Sequence, residues 1–117
     1  MPAIIDSDQR LNPFNIRHEL GISQERMSNL LKVSSKTVTR WEKGERLPND
    51  SDALSRLAKL KEITELGLMV YTAVGFQEFL KTPLQVFGGR SAFELLQLGD
   101  YKTVLSVIAA DFEGTGF

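Results

Sequence analysis

Apolar residues recur along this chain at helical spacing, in short runs separated by capping residues, glycine and proline. Asn12 and Pro13 pair an N-cap with proline at the first helical position and open a helix closed by Gly21, with Phe14, Ile16 and Leu20 expected inward. Ser23 is a natural N-cap for a helix from Gln24 to about Leu31, on which Met27, Leu30 and Leu31 recur at i, i+3 and i+4 as one buried stripe. Ser34 caps a helix from Ser35 to about Lys43, ended by Gly44. Asn49, Asp50 or Ser51 caps a long helix from about Asp52 to Val70. Its apolar positions (Leu54, Leu57, Ala58, Leu60, Ile63, Leu66, Leu68, Met69) cover more than one face, which implies burial on two sides. Beyond it, Gly75, Pro83, Gly88–Gly89 and Gly99 each open a short element. These are Gly75–Lys81 with Phe76, Phe79 and Leu80; a turn after Thr82 and Pro83 with Leu84, Val86 and Phe87; Ala92–Leu98 capped by Ser91; and a last helix from Asp100 to about Phe112, with Val104, Leu105, Ile108 and Phe112 inward. No alternating β pattern occurs, so the fold class is all-α.

The stretch Gly21–Pro48 carries the first chemistry. Its two short helices are joined by a tight turn, and on the second Val38 and Trp41 share one face while Lys36, Arg40 and Lys43 fall at i, i+4, i+7 on roughly the opposite one. A helix apolar inside and cationic outside, entered by a sharp turn, suits the DNA major groove. The same cations also fit a merely solvated helix; the helical pair with its turn is the more specific feature. Trp41 reads as core because it shares a face with Val38.

Composition changes this picture little, and charge changes it more. The 117 residues suffice for one domain or two very small ones, and 42% hydrophobic with 25% charged residues is ordinary for a soluble globular protein. No run approaches the ~18 apolar residues of a membrane span, and no signal peptide is visible, so a cytoplasmic protein with no membrane association is expected. With no cysteine there is no disulfide framework, thiolate metal site or cysteine nucleophile. The lone His18 has no Asp or Cys partner in range and reads as structural or solvated. No metal-ligand spacing or phosphate-binding glycine loop is present; Gly88–Gly89 before Arg90 lacks the length and lysine of one. No cofactor is expected, and an enzyme is disfavoured. The net charge of −1 hides an asymmetry: residues 10–46 hold eight Lys/Arg against four Glu, residues 47–117 six against nine Asp/Glu. Such a division suits a chain that meets phosphates with one end and a different partner with the other. Residues 1–10 lack periodicity and read as a loose arm, disordered or packed on a partner.

GISQERMSNLLKVSSKTVTRWEKGERLP resembles the Xre (Cro-like repressor) helix-turn-helix, with its S-Q-E-x start, V-S-x-x-T-V-x-R-W-E recognition helix and closing G-x-x-x-P. Lys32 stands where that family usually has Gly, placing a non-glycine at a left-handed turn position at a cost of roughly 1 kcal/mol. Arg26 replaces the usual Glu and breaks the capping box, and Ser28 replaces a small Ala. The resemblance implies that Ser35, Lys36 and Arg40 read base edges, with Thr37 and Thr39 at the groove edge. It implies phosphate contacts for Ser23, Gln24 and Lys43, and a homodimer, since such readers bind two-fold operator DNA.

EFLKTPLQVFGGRSAFELLQLGDYKTVLSVIAADFEGTGF is similar to the C-terminal domain of Xre/MbcA/ParS-type antitoxins, matching at Thr82, Pro83, Gly88 or Gly89, Leu95, Leu96, Gly99, Val104, Leu105 and the Gly114–Phe117 tail. Phe79 stands for the usual Trp and Ala92 for the usual Pro. The two resemblances imply an arm at 1–10, a DNA-binding domain at 11–69 and a toxin-binding domain at 70–117. Together they imply the antitoxin of a type II toxin–antitoxin pair, which neutralises a RES-domain, NAD-degrading toxin by covering its active site and represses its own operon. The toxin-facing residues would be Arg90, Phe112, Glu113, Gly114, Thr115, Gly116 and Phe117. From the residues alone the tail is either an aromatic-tipped strand that enters a concave site or a frayed terminus. Arg90 is either a surface residue after a helix break or a contact to an acidic group on the partner. A stand-alone repressor whose second half only dimerises is the alternative.

Overall fold

The computed structural model describes residues 11–114. Among them the fold is all-α: seven α-helices, one short 3-10 turn and no strand. The helices are α1 Pro13–Leu20, α2 Gln24–Leu31, α3 Ser35–Lys43, α4 Ser51–Val70, α5 Ala73–Lys81, α6 Ala92–Gln97 and α7 Tyr101–Phe112, with the 3-10 turn at Gln85–Phe87. Two compact units divide within α4, one running to Lys61 and the other beginning at Glu62. The arm expected at residues 1–10 lies outside the described residues.

In the first unit each helix starts where a side chain can satisfy an orphan backbone donor. Asn12 accepts from the Asn15 N–H, Ser23 from Arg26, Ser34 from Thr37 and Asp50 from Ala53, each at 3.1 Å. Ser23 thus caps α2 even with Arg26 in place of a capping-box acid. Between α2 and α3 the chain turns through Lys32 in the left-handed conformation, φ 61° and ψ 42°, the one non-glycine with positive φ among the described residues. Ile16, Leu20, Met27, Leu30, Leu31, Val38, Leu57 and Leu60 are buried, with Trp41 nearly so. Phe14 corrects the expectation for α1: it is 44% exposed, stacks on His18, and lies under the Arg17 guanidinium at 5.5 Å. Helical spacing cannot bring 14, 16 and 20 onto a single face, and Ile16 and Leu20 take the inner one.

In the second unit α5 begins earlier than expected. Thr72 caps it by accepting from the Gly75 N–H at 3.0 Å, so Gly75 is the third helical residue and not a break. Gly67, inside α4, has a packing reason: a Cβ there would lie 2.3 Å from Cε1 of the fully buried Phe76. Ser91 and Glu94 close a capping box on α6, Ser91 accepting from the Glu94 N–H at 3.2 Å and Glu94 from the Ser91 N–H at 2.9 Å. On α7 the buried positions are Val104, Val107 and Ile108; Leu105 is half-buried and Phe112 is 58% exposed. The expectation that Phe112 faces inward is therefore wrong: the buried stripe ends a turn earlier, and Phe112 projects from the last turn.

Candidate functional site

The helix-turn-helix region is assembled by one polar network. Arg17 on α1 donates to both carboxylate oxygens of Glu42 on α3, Nε to Oε2 at 2.6 Å and Nη2 to Oε1 at 2.9 Å, and its Nη1 donates to the Ile22 carbonyl at 3.0 Å. Gln24, first residue of α2, donates Nε2 to Glu42 Oε1 at 2.8 Å and accepts from the Thr39 hydroxyl at 2.8 Å. Three helices are thus joined through a single carboxylate whose side chain is only 7% exposed. Burial alone would raise the Glu42 carboxyl, but hydrogen bonds from Arg17 and Gln24, with the Arg17 charge, outweigh it and hold the group below its ordinary range. The same hydrogen bond raises Arg17 further, against a smaller opposing effect of burial. A planar guanidinium meeting a carboxylate two-pronged fixes orientation as well as distance, so this network sets how α3 is held against α1 and α2.

With α3 held in this way, its outer face turns to solvent. Val38 is fully buried and Trp41 7% exposed, while Ser35, Lys36, Arg40 and Lys43 are exposed. Lys36, Arg40 and Lys43 make no ion pair among the described residues, leaving three solvent-facing cations on nearly one side of a short helix. Thr37 pairs its hydroxyl with Ser34 at 2.9 Å, and Thr39 donates to both Gln24 and the Ser35 carbonyl. Ser23 spends its hydroxyl oxygen as the α2 cap. All eight positions expected at the nucleic-acid surface therefore lie on α3 or at the start of α2. They divide by chemistry: the cations and Ser35 face solvent, whereas Gln24 and Thr39 are half-buried and bonded to one another. Gln24 keeps one amide hydrogen unspent by these bonds. Sequence reasoning missed Arg17 and Glu42 because their 25-residue separation falls in no local pattern.

The second unit presents a different chemistry. Arg90 is exposed and follows Gly88 and Gly89, both at positive φ, in a loop closed by the Leu84 N–H donating to the Arg90 carbonyl at 3.1 Å. Phe112, Glu113 and Gly114 are exposed at the end of α7, and Gly114 leaves the helix at φ 75°. Thr115, Gly116 and Phe117 lie outside the described residues. The last turn of α7 is anchored by Tyr71, whose hydroxyl donates to Asp111 Oδ2 at 2.5 Å. The Tyr71 ring stacks on Phe79 at 5.3 Å, and Phe79 meets Phe87 edge-on at 6.1 Å. Burial, then the hydrogen bond to Asp111 and its charge, push the Tyr71 hydroxyl well above its usual value. Among the described residues no group of His, Asp or Glu is placed to hold a metal ion, and no helix is long and apolar enough to cross a membrane.

Comparison with known proteins agrees with this geometry. Residues 15–60 match the helix-turn-helix family model. Among curated proteins none shows significant sequence similarity. A chain of the crystal structure of the M. tuberculosis MbcT–MbcA toxin–antitoxin complex superimposes with a TM-score of 0.77 at 22% identity, over 93% of this chain and 97% of that one. Residues 15–60 are a helix-turn-helix domain, within a chain that shares its helical fold over nearly its whole length with a chain of that complex.

Proposed function

We propose that this chain is the antitoxin of a type II toxin–antitoxin pair, a DNA-binding regulator and not an enzyme. The observation that carries the reading is a helix-turn-helix with three exposed cations on its second helix, unpaired among the described residues, in a chain folded like one from a toxin–antitoxin complex. In this reading residues 11–69 bind operator DNA as part of a homodimer on a two-fold site, and 70–117 bind the toxin. Arg40 pairs a base edge, guanine O6 and N7 being the best acceptors for a guanidinium, with Lys36 and Ser35 beside it. Ser23, Gln24 and Lys43 contact phosphate, and Thr37 and Thr39 border the groove. Arg90, Phe112 and the Glu113–Phe117 tail engage the toxin. The resemblance of the chain from about Val70 to its end to Xre/MbcA/ParS-type antitoxins favours a RES-domain toxin, whose active site the tail covers. The same chain represses its own operon.

The test is in two parts. On promoter DNA from upstream of its own reading frame, Arg40→Ala costs about 1–3 kcal/mol of discrimination between operator and scrambled duplex, whereas Lys43→Ala weakens both alike and reduces the salt slope by about one. Equal loss on both duplexes for Arg40→Ala refutes its assignment. Co-expression with the toxin-like product of the neighbouring frame tests the rest: a chain lacking Gly114–Phe117 that still restores growth refutes the tail.

A further inference from the structure

Asp111 stands where local preference argues against it. It sits in the last turn of α7, at the negative end of the helix dipole, with no basic residue in that turn and the exposed Glu113 as the cap beyond it. Aspartate is also among the weaker helix formers. A residue kept against both rules needs a use elsewhere. The structure supplies one in the Tyr71 hydroxyl, which donates to Asp111 Oδ2 at 2.5 Å.

The donor is held more firmly than a surface tyrosine would be. Tyr71 follows α4 directly, and its backbone N–H donates to the Gly67 carbonyl at 2.8 Å. Its ring stacks on Phe79, which meets the buried Phe87 edge-on. Burial, then the bond to Asp111, push the hydroxyl above its usual value, so it keeps its proton and stays the donor. Asp111 is engaged twice: its side chain takes Tyr71, and its carbonyl accepts from the Gly114 N–H at 3.1 Å, where the chain leaves the helix at φ 75°. Phe112 and Glu113 stand between those two held points. Helix ends ordinarily fray, and an end tied by a charge-assisted hydrogen bond to packed aromatic rings frays less. This order does not serve the core, because Phe112, the last helical residue, is 58% exposed. Holding an exposed aromatic in one place brings no burial until a partner covers it; the ordering cost of that association is then smaller.

We infer that Tyr71 and Asp111 are positioning residues for partner binding: their hydrogen bond holds the last turn of α7 so that Phe112, read above as a toxin contact, meets the toxin already in place. Tyr71→Phe keeps the ring and removes only the hydroxyl. In the ¹⁵N-labelled free chain, the amide order parameters of Phe112 and Glu113 should fall in Tyr71→Phe and in Asp111→Ala, with those of Val104 and Ile108 unchanged. Asp111→Asn, which keeps an acceptor oxygen, should retain more order than Asp111→Ala. Unchanged order at Phe112 and Glu113, or Asp111→Asn no better than Asp111→Ala, overturns the clamp. Binding is read by calorimetric titration with the purified toxin-like product of the neighbouring frame, at a temperature where far-UV spectra match the parent. Tyr71→Phe should raise Kd about 2- to 10-fold, the range for ordering one side chain on association. In a Phe112→Ala background it should raise Kd no further, because the side chain it positions is gone; a general weakening of the fold would show no such dependence. If Phe112→Ala weakens binding but Tyr71→Phe costs the same in both backgrounds, or nothing in either, the positioning role is overturned and Phe112 remains a contact. Full affinity in Phe112→Ala instead refutes Phe112 as a toxin contact, and the positioning role falls with it.

Discussion

Gly67→Ala should destabilise this protein, although helix propensity alone says the opposite. Gly67 lies inside α4, where replacing glycine by alanine ordinarily gains about 1 kcal/mol. The added Cβ would stand 2.3 Å from Cε1, 2.5 Å from Cδ1 and 3.0 Å from Cζ of Phe76. Ordinary carbon–carbon contact begins near 3.5 Å, so the ring or the helix must move by roughly 1 Å. Phe76 is fully buried, and close-packed interiors yield poorly to shifts of that size. Overpacking typically costs about 1–3 kcal/mol. A clash below 3 Å with a buried ring belongs at the upper end, leaving a net loss of about 1–2 kcal/mol after the propensity gain is subtracted.

Urea denaturation followed by far-UV circular dichroism reads this as a lowered midpoint, and heating as a fall of about 5–10 °C in Tm. The cause is separable from a general intolerance of substitution. Phe76→Leu on its own leaves a partial cavity. In the double variant the new methyl occupies space that the ring vacated, so the combined loss should be smaller than the sum by at least about 1 kcal/mol. A neutral or stabilised Gly67→Ala, or strict additivity with Phe76→Leu, would refute the claim that ring contact dictates glycine at this position.

Three further outcomes follow from the geometry. Lys32→Gly should raise stability by about 1 kcal/mol, because it removes the left-handed strain at φ 61°; an unchanged urea midpoint contradicts this. Glu42→Ala should cost about 3 kcal/mol by leaving Nε and Nη2 of Arg17 and Nε2 of Gln24 without their carboxylate acceptor in a partly buried setting, a loss readable in the same titration. The Glu42 carboxyl is lowered from 4.5 in the fold, so its contribution is complete above that pH and is lost as pH falls through the folded value. The acid limb of stability should therefore be shallower in Glu42→Gln than in the parent. Tyr71→Phe keeps the ring stack but removes the hydrogen bond to Asp111, costing about 1.5–3 kcal/mol. The Tyr71 hydroxyl is raised from 10.0, so above that pH the unfolded chain ionises first and stability falls with rising pH; Tyr71→Phe should lose part of that alkaline fall.

What was legible in the sequence is what the chain decides within a few residues. Ser23, Ser34, Ser91 and Asp100 each bond a backbone N–H three residues ahead, so those four helix starts could be read from a capping residue and the apolar run behind it. The left-handed Lys32 was legible only through the family resemblance, since it stands where the helix-turn-helix usually has Gly. The network that orients α3 was not. Arg17 and Glu42 are 25 residues apart and Tyr71 and Asp111 are 40 apart, and nothing local distinguishes such partners from other surface charges. Thr72 hid the start of α5 because Gly75 looked like a break, and Gly67 was passed over because its reason, Phe76, sits on the next helix. The errors at Phe14 and Phe112 are of another kind. Residue 14 is out of register with 16 and 20 on one helix face, whereas at Phe112 helical spacing shows an apolar face that this chain does not cover. One of these aromatics lines a groove beside Trp41, and the other stands where α7 gives way to the Gly114 turn. Locally consistent sequences break their own rules mainly where something else must bind, and the exposure of Phe112 is what the partner-binding role proposed above requires of it.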